Sequence, residues 1–254
     1  MLKAVLFDLD DTLFDHRVCA RTALRQLHRA HPAFEAHDFD AFERMHASLL
    51  EELHPRVIAG ELGIDEARQE RFRRLFRAVG VVPDDEVVLG AAAAYRSGYV
   101  RIRQPVSGAA RLLALVRAHA RIGIVSNNLI DEQREKLRSC GLDRFIDALV
   151  VSEETGISKP DPRIFEIALE RLKVSPSDAV MVGDSWTADV AGARRAGIPA
   201  IWFNPLGAPP PEPAARVPEL SSLEPPETVL DLIFATADVA RPSTTRDPNP
   251  EPEP

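Results

Sequence analysis

Acidic residues two positions apart follow the first apolar run of the chain, and their types suit covalent phosphoryl transfer. The run 2–7 is apolar except for Lys3 and leads into Asp8, Asp10 and Thr12. Side chains two apart point the same way in an extended chain, so Asp8 and Asp10 converge on one pocket. One carboxylate can then attack phosphorus while the other handles the proton of the leaving oxygen. Taken alone, the pair also fits a metal-binding turn or a helix N-cap.

A second acidic group follows another apolar run, at 179–182. Gly183 allows a sharp turn there, and Asp184 and Asp189 come directly after it. Carboxylate oxygens are the ligands that Mg²⁺ prefers, and it uses only one or two of them together with phosphate oxygens. Asp184 acting with Asp8 satisfies that need. Helix capping by Asp184 or Asp189 is the competing interpretation.

Two further segments carry groups that suit a phosphate. Ser126 and Asn127 end the apolar run 121–125, and their hydroxyl and amide can donate to phosphate oxygens. Lys159 stands between a loop and a helix that begins with proline, in a chain with four lysines. An ammonium beside clustered carboxylates offsets their repulsion and neutralises a phosphoryl group. By themselves these segments also fit an ordinary turn and a solvated loop lysine.

The elements that must position these residues alternate between strand and helix patterns. Five short apolar runs predict buried strands, at 2–7, 121–125, 148–151, 179–182 and 200–203. Helical spacing occupies the intervals between them, at 107–119, 130–140, 162–172 and 188–196. Alternation of this kind predicts an α/β fold with a parallel sheet covered by helices.

The interval 15–103 differs, because it contains helix patterns and no convincing strand. Four helical patterns predict a small bundle inserted after the first strand. Such a bundle would stand above the carboxyl ends of the strands, where open α/β sheets bind ligands. We therefore expect a core formed by 1–14 and 104–236 and a helical cap formed by 15–103.

Composition and the pattern of apolar residues limit which partners and which cellular compartment we expect. A net charge of −8 argues against a nucleic-acid backbone as the main partner, and no apolar run approaches the roughly 20 residues that span a bilayer. The N-terminal residues lack a signal-peptide pattern, so we expect a cytoplasmic protein. The Pro-rich segment 237–254 is predicted to be a disordered tail, with partner docking as the alternative.

Taken together, the four motifs and their order resemble the haloacid dehalogenase-like (HAD) hydrolase superfamily. The resemblance spans roughly residues 1–204, and the helical interval is similar to the small α-helical cap subclass. Ser126-Asn127-Asn128 and the cap stretch from Gly60-Glu61-Leu62-Gly63 to Arg71-Phe72 are similar to nucleotidase and N-acylneuraminate phosphatase-like groups. The resemblance implies a Rossmann-like core and a phosphatase acting on a small phosphate ester.

The resemblance also implies a role for each motif residue. Asp8 is the expected nucleophile and Asp10 the expected general acid and base. Thr12 and Ser126 are expected to bind the phosphate, and Lys159 to steady both nucleophile and phosphate. Asn127 joins this group through its amide.

The same resemblance implies one cofactor, Mg²⁺. Its expected ligands are Asp8, the backbone carbonyl of Asp10, and Asp184, while Asp189 supports or ligates. The oligomeric state is open between monomer and homodimer.

Single residues of this chain favour or disfavour the other activities known in the superfamily. Dehalogenases resemble this core but lack a carboxylate two residues after the nucleophile, so Asp10 disfavours that chemistry. Phosphonatases use a cap lysine, and no lysine lies between Lys3 and Lys136. A phosphomutase of the β-phosphoglucomutase type shares all four motifs and stays the alternative. A binding or regulatory protein is disfavoured, because clustered carboxylates without a metal destabilise a fold.

Overall fold

A six-stranded parallel sheet forms the centre of the molecule. The structure is a computed structural model and describes residues 2–211 and 217–239. The strands are β1 (Ala4–Phe7), β2 (Arg121–Ser126), β3 (Ala148–Val151), β4 (Ala179–Gly183), β5 (Ala200–Phe203) and β6 (Glu219–Leu220). Their order is β3-β2-β1-β4-β5-β6, and each neighbouring pair is parallel. The predicted Rossmann-like α/β core is confirmed.

Strand β1 lies between β2 and β4 and is covered on both faces. Val5 and Phe7 belong to the apolar cluster on one face, while Ala4 and Leu6 belong to the cluster on the other. All four residues are fully buried. Burial on both faces explains why the strand is a continuous apolar run rather than an alternating one. It also places the residue that follows, Asp8, at the middle of the sheet edge.

Five helices occupy the chain from His16 to Arg101, and we call them the cap helices. They are α1 (His16–Ala30), α2 (Pro32–Glu35), α3 (Phe39–Ile58), α4 (Ile64–Ala78) and α5 (Asp85–Arg101). Helix α1 packs against α5, and α4 packs against both α3 and α5. The predicted bundle is confirmed, with the short α2 as an addition that begins at a proline.

The chain leaves the core and returns to it side by side. The backbone N–H of Asp15 donates to the carbonyl of Gln104 at 3.1 Å, and that of Val106 donates to the carbonyl of Leu13 at 2.9 Å. Asp15 then starts α1 by accepting from the N–H of Val18 at 3.2 Å. These contacts lie beside the predicted domain boundaries, which stay a prediction.

Helices cover both faces of the sheet. Helix α6 (Ala109–Arg117) precedes β2. The helices after β2 are α7 (Ile130–Ser139), α8 (Ser152–Thr155), α9 (Pro162–Leu172), α10 (Gly192–Arg195) and α11 (Pro226–Val239). Residues of α9 and α10 pack in the cluster around Leu6, and residues of α6 and α11 pack in the cluster around Phe7. None of the described helices combines the length and apolar composition needed to cross a membrane.

The structure differs from the sequence-based prediction at several elements. Strand β6 and helices α8 and α11 were not predicted, and the predicted helix 188–196 is a π-helical turn (Trp186–Ala191) followed by α10. The predicted tail starts too early, because α11 continues through Val239 and Ala237 is fully buried. An apolar helix face that packs on the sheet explains the difference. The rest of the predicted tail, 240–254, lies outside the described residues.

We expect the face covered by α9 to carry much of the stability of the core. Phe165 is fully buried there, so Phe165→Ala should lower the free energy of unfolding by about 3–5 kcal/mol through lost burial and a cavity. Urea denaturation measures the change. Leu206→Ala is the control, because that side chain is 72% exposed and its loss should stay within about 0.5 kcal/mol. Equal effects of the two substitutions would contradict this packing.

Candidate active site

The carboxyl ends of three adjacent strands bring the predicted residues to one edge of the sheet. Asp8 follows β1, Ser126 ends β2 and Asp184 follows β4. The backbone N–H of Asp8 donates to the carbonyl of Val182 at 3.0 Å, which continues the pairing of β1 with β4 past the end of the strand. Adjacent parallel strands therefore carry separated sequence motifs to the same place.

A buried lysine connects the motifs at this edge. The Nζ of Lys159 lies 2.5 Å from Oδ1 of Asp8 and 2.6 Å from Oδ1 of Asp189. Its third contact is the carbonyl oxygen of Val125, at 2.7 Å. An ammonium has three donors, so every N–H of Lys159 has an acceptor. The lysine joins the ends of β1 and β2 to the turn that precedes α10.

Burial and the charges of neighbouring groups together shift the pKa values of Asp8 and Lys159. Burial raises the pKa of Asp8 well above its usual value, and repulsion from Asp189 and Asp184 adds to the rise, although the Lys159 ammonium opposes it. Burial lowers the pKa of Lys159, but attraction to Asp189 and Asp8 outweighs it and the net pKa is raised. Lys159 therefore stays a cation.

Gly183 makes room for the second carboxylate of the cluster. A Cβ at that position would lie 2.4 Å from the Cγ of Asp189, which is too close for any side chain. The other oxygen of Asp189 accepts from the backbone N–H of Ser185 at 2.9 Å. The glycine was predicted for a turn, and the structure adds this close approach as the physical reason for it.

Three carboxylates of the site are close enough to share a cation. Asp8, Asp184 and Asp189 each offer an oxygen, and these oxygens lie within 4.8 Å of one another. Burial, together with repulsion from Asp189 and Asp11, raises the pKa of Asp184 to about 7. Clustered hard oxygen donors that repel one another fit Mg²⁺, whose charge would favour their ionised forms.

Asp10 lies outside this carboxylate group and has its own set of partners. Its Oδ1 lies 2.5 Å from the Nζ of Lys136, and its Oδ2 accepts from Gln133 at 2.9 Å and from Asn128 at 3.0 Å. Burial opposes ionisation of Asp10, but the Lys136 ammonium, together with His16 and the hydrogen bonds from Lys136 and Gln133, outweighs burial and holds the pKa of Asp10 well below its usual value. Asp8 and Asp10, two residues apart, thus have opposite pKa shifts.

The residues predicted to bind phosphate line the same edge and contact protein groups there. Thr12 is fully buried, and its Oγ1 accepts from the backbone N–H of Asp184 at 3.1 Å. The Oγ of Ser126 accepts from Gln133 at 2.6 Å. The amide of Asn127 exchanges two hydrogen bonds with the backbone of Lys159, at 2.7 and 2.8 Å. Their contact with a phosphate stays a prediction.

A cavity of about 430 Å³ lies between the cap helices and this edge. Its lining includes Asp10 and Asn128 from the core side and His16, Tyr95 and Tyr99 from the cap helices. The Nδ1 of His16 lies 2.8 Å from the hydroxyl of Tyr99, and burial lowers the pKa of His16 to about 4. The imidazole is therefore neutral near pH 7. His16 and Asn128 both line the cavity and are therefore placed to contact a bound molecule.

Sequence reasoning missed Gln133 and Lys136 on α7. They lie three residues apart, so they share one helix face, and both are buried and directed at Asp10. The signal available was the scarcity of lysine, together with the position of α7 directly after the motif at Ser126. Which face α7 turns to the site required the structure.

The fold and the carboxylate cluster place the protein among the capped α/β hydrolases. The chain belongs to the haloacid dehalogenase-like hydrolase family, whose family model matches residues 2–197. The resemblance inferred from the motifs is confirmed.

Named relatives agree with this family. A glyceraldehyde 3-phosphate phosphatase of Methanopyrus kandleri is 34% identical over 202 residues, which cover 79% of this chain and 83% of that protein. The pyrimidine 5'-nucleotidase YjjG of Escherichia coli is 30% identical over 230 residues, covering 89% and 96%. The structure of the HAD-hydrolase YfnB of Bacillus subtilis bound to magnesium matches with a TM-score of 0.71 and 26% identity, covering 91% of this chain and 98% of that one.

We expect Lys159 to stabilise the fold as well as the site. Lys159→Met leaves two buried carboxylates unpaired and should lower the free energy of unfolding by about 3–5 kcal/mol in EDTA, measured by urea denaturation. Lys3→Met is the matched control, because Lys3 pairs with Asp178 at 2.7 Å while its side chain is 59% exposed. That change should stay within about 1 kcal/mol. Losses of similar size would show that Lys159 is not the centre of the cluster.

Proposed function

We propose that the protein is a Mg²⁺-dependent phosphatase that hydrolyses a small phosphate monoester through an aspartyl phosphate on Asp8. The observation that carries the proposal is the division between two carboxylates. Asp8 is buried beside Lys159, Asp184 and Asp189, whereas Asp10 lines the substrate-sized cavity. Relatives named as phosphatases and a nucleotidase support the same reaction class.

In the first step, an oxygen of Asp8 attacks phosphorus and the bond from phosphorus to the leaving oxygen breaks. Lys159 keeps Asp8 oriented and contributes positive charge beside the transferring group. Asp10 gives its proton to the leaving oxygen, so an alcohol departs. A phosphate dianion near Asp10 raises the pKa of that carboxyl group, which favours the protonated form that this step needs.

In the second step, Asp10 takes a proton from water, and the water oxygen attacks phosphorus. The bond to Asp8 breaks, inorganic phosphate is released and Asp8 returns to its carboxylate form. Lys136 stabilises the ionised Asp10 at this stage, because its ammonium lies 2.5 Å from the carboxylate. Thr12, Ser126 and Asn127 are the groups proposed to hold the phosphate oxygens.

Asp8 and Asp184 are the side chains proposed to hold Mg²⁺, with the backbone carbonyl of Asp10, and with Asp189 in support. Bound Mg²⁺ would supply positive charge that offsets the charge of the phosphoryl group. The expected partner is a small-molecule ester, and the expected compartment is the cytoplasm. The phosphatase and nucleotidase names of the relatives support the first expectation, and the second stays a prediction.

Activity on p-nitrophenyl phosphate tests the roles of the two aspartates. Asp8→Asn should abolish turnover, because the nucleophile is lost. Asp10→Asn should reduce kcat by a factor on the order of 10² to 10⁴, since proton transfer is lost while the nucleophile remains. Asp131→Asn is the control and should leave the rate unchanged, because that side chain is 87% exposed on α7.

The same assay tests the metal and the competing classes. EDTA should abolish turnover and Mg²⁺ should restore it. A protein that turns over no phosphate ester under any metal condition would be a binding or regulatory member of the family. A β-phosphoglucomutase-type enzyme would instead move phosphate between positions of a sugar phosphate faster than it releases phosphate.

A further inference from the structure

Helix α4 carries a buried arginine whose charge has no partner. Arg71 lines the cavity beneath the cap helices and is only 7% exposed. Among the described residues, no carboxylate lies within ion-pair distance of its guanidinium, and its Nε has no hydrogen-bond partner. Burying an unpaired cation destabilises a fold, so this arrangement requires a reason.

Neighbouring arginines differ from Arg71, because each of them is paired with a carboxylate. Arg68, Arg96 and Arg103 all contact the carboxylate of Glu132, at 2.7 to 3.3 Å. Arg103, whose side chain is 3% exposed, also reaches a second carboxylate on α7. Arg71 lies one helical turn from Arg68 on the same face of α4, yet it is left out of this network.

The groups that surround Arg71 do not replace a counterion. Its guanidinium lies 5.7 Å from the ring centre of Tyr95, a cation–π distance, which supports the charge without neutralising it. His46 is buried nearby, its Nε2 also lacks a partner, and burial together with Arg71 lowers its pKa well below the usual value. The neutral imidazole adds no negative charge.

The charge of the cavity wall has the same imbalance. Its charged residues are four cations, Arg68, Arg71, Arg96 and Lys136, against three carboxylates, Asp10, Glu51 and Glu132. Lys136 pairs with Asp10, and Arg68 and Arg96 share Glu132. Glu51 is exposed, so Arg71 is the buried cation that the described wall leaves unbalanced.

We propose that Arg71 binds a second anionic group on the substrate, a carboxylate or a second phosphate carried by the leaving alcohol. Arg71 and Asp10 line one cavity, so one small molecule can present its scissile phosphate to the edge of the sheet and its other anion to α4. The planar guanidinium suits both kinds of anion, because it can donate two parallel hydrogen bonds. The proposal rests on the proposed phosphatase function and defines its substrate class.

Matched pairs of substrates test this assignment by kcat/KM. 3-Phosphoglycerate is compared with glycerol 3-phosphate for the carboxylate, and ribulose 1,5-bisphosphate with ribulose 5-phosphate for the second phosphate. In at least one pair the wild-type protein should prefer the more anionic member by about tenfold or more. Arg71→Met should reduce kcat/KM for that member about 10- to 100-fold, and for the partner without the second anion by less than about threefold.

Two further variants separate recognition from folding. Arg73→Met is the control on the same helix, because Arg73 pairs with Glu70 and with an exposed aspartate, and it should keep the wild-type preference. Arg71→Lys keeps the charge but not the paired donors, so its preference should be intermediate. Retained hydrolysis of p-nitrophenyl phosphate, which lacks a second anion, shows that a variant is folded.

Binding to the Asp8→Asn variant, followed by calorimetry, reads the same preference without turnover. Tighter binding of the anionic member that disappears in Asp8→Asn/Arg71→Met supports the proposal even if no ester is hydrolysed, in which case only the proposed phosphatase function fails. A wild-type ratio of kcat/KM values near one in both pairs would overturn the proposal for Arg71. An Arg71→Met variant that loses activity equally on the members with and without a second anion would also overturn it, because that result would make Arg71 a packing residue.

Discussion

The contact of Lys159 with two buried carboxylates is the constraint on which the site depends. One ammonium meets Asp8 at the end of β1, a backbone carbonyl at the end of β2, and Asp189 in the turn before α10. Each of these acceptors would be unfavourable to bury without a donor. The lysine therefore holds three separate elements together and supplies a positive charge to both buried carboxylates.

Asp8 and Asp10 are nearly adjacent in sequence but are held in different electrostatic surroundings. Asp8 has a raised pKa among other carboxylates, whereas Asp10 has a lowered pKa beside Lys136. Each pairs with a different lysine, and each lysine comes from a different segment of the core. When the surroundings of two carboxylates move their pKa values apart in this way, the two groups can take different chemical roles in one site. The cap helices then close the space above Asp10 and contribute His16, Tyr95 and Tyr99 to it.

Much of the core could be predicted because its information is local. Buried parallel strands are short apolar runs, so five of them were predicted near their observed positions, and each site motif lies directly after or near one. Strand β6 is two residues long, and α11 follows a Pro-rich stretch, so neither has a clear local pattern. Composition alone assigned 237–239 to the tail, but the packing of α11 against the sheet includes Ala237.

The site residues that could be predicted from sequence also lie in local motifs, whereas those that could not lie on helices. Asp8, Asp184, Asp189 and Lys159 were predicted from strand-end motifs, and the structure brings them together. Gln133, Lys136 and Arg71 lie on helices, where their roles depend on which face is turned inward and on which partners are absent. An unpaired charge is a property of tertiary structure, so the sequence alone could not show that Arg71 is buried without a counterion.

Isolation of the intermediate tests directly whether the phosphate ester forms on Asp8. The wild-type protein is mixed with a ³²P-labelled phosphate monoester and Mg²⁺, quenched in acid during turnover, digested and mapped by mass spectrometry. We expect label on the peptide that contains Asp8, lost on treatment with hydroxylamine and absent from the Asp8→Asn variant. Turnover with no label on the protein, or with label on a different residue, would show that the reaction does not pass through an ester on Asp8.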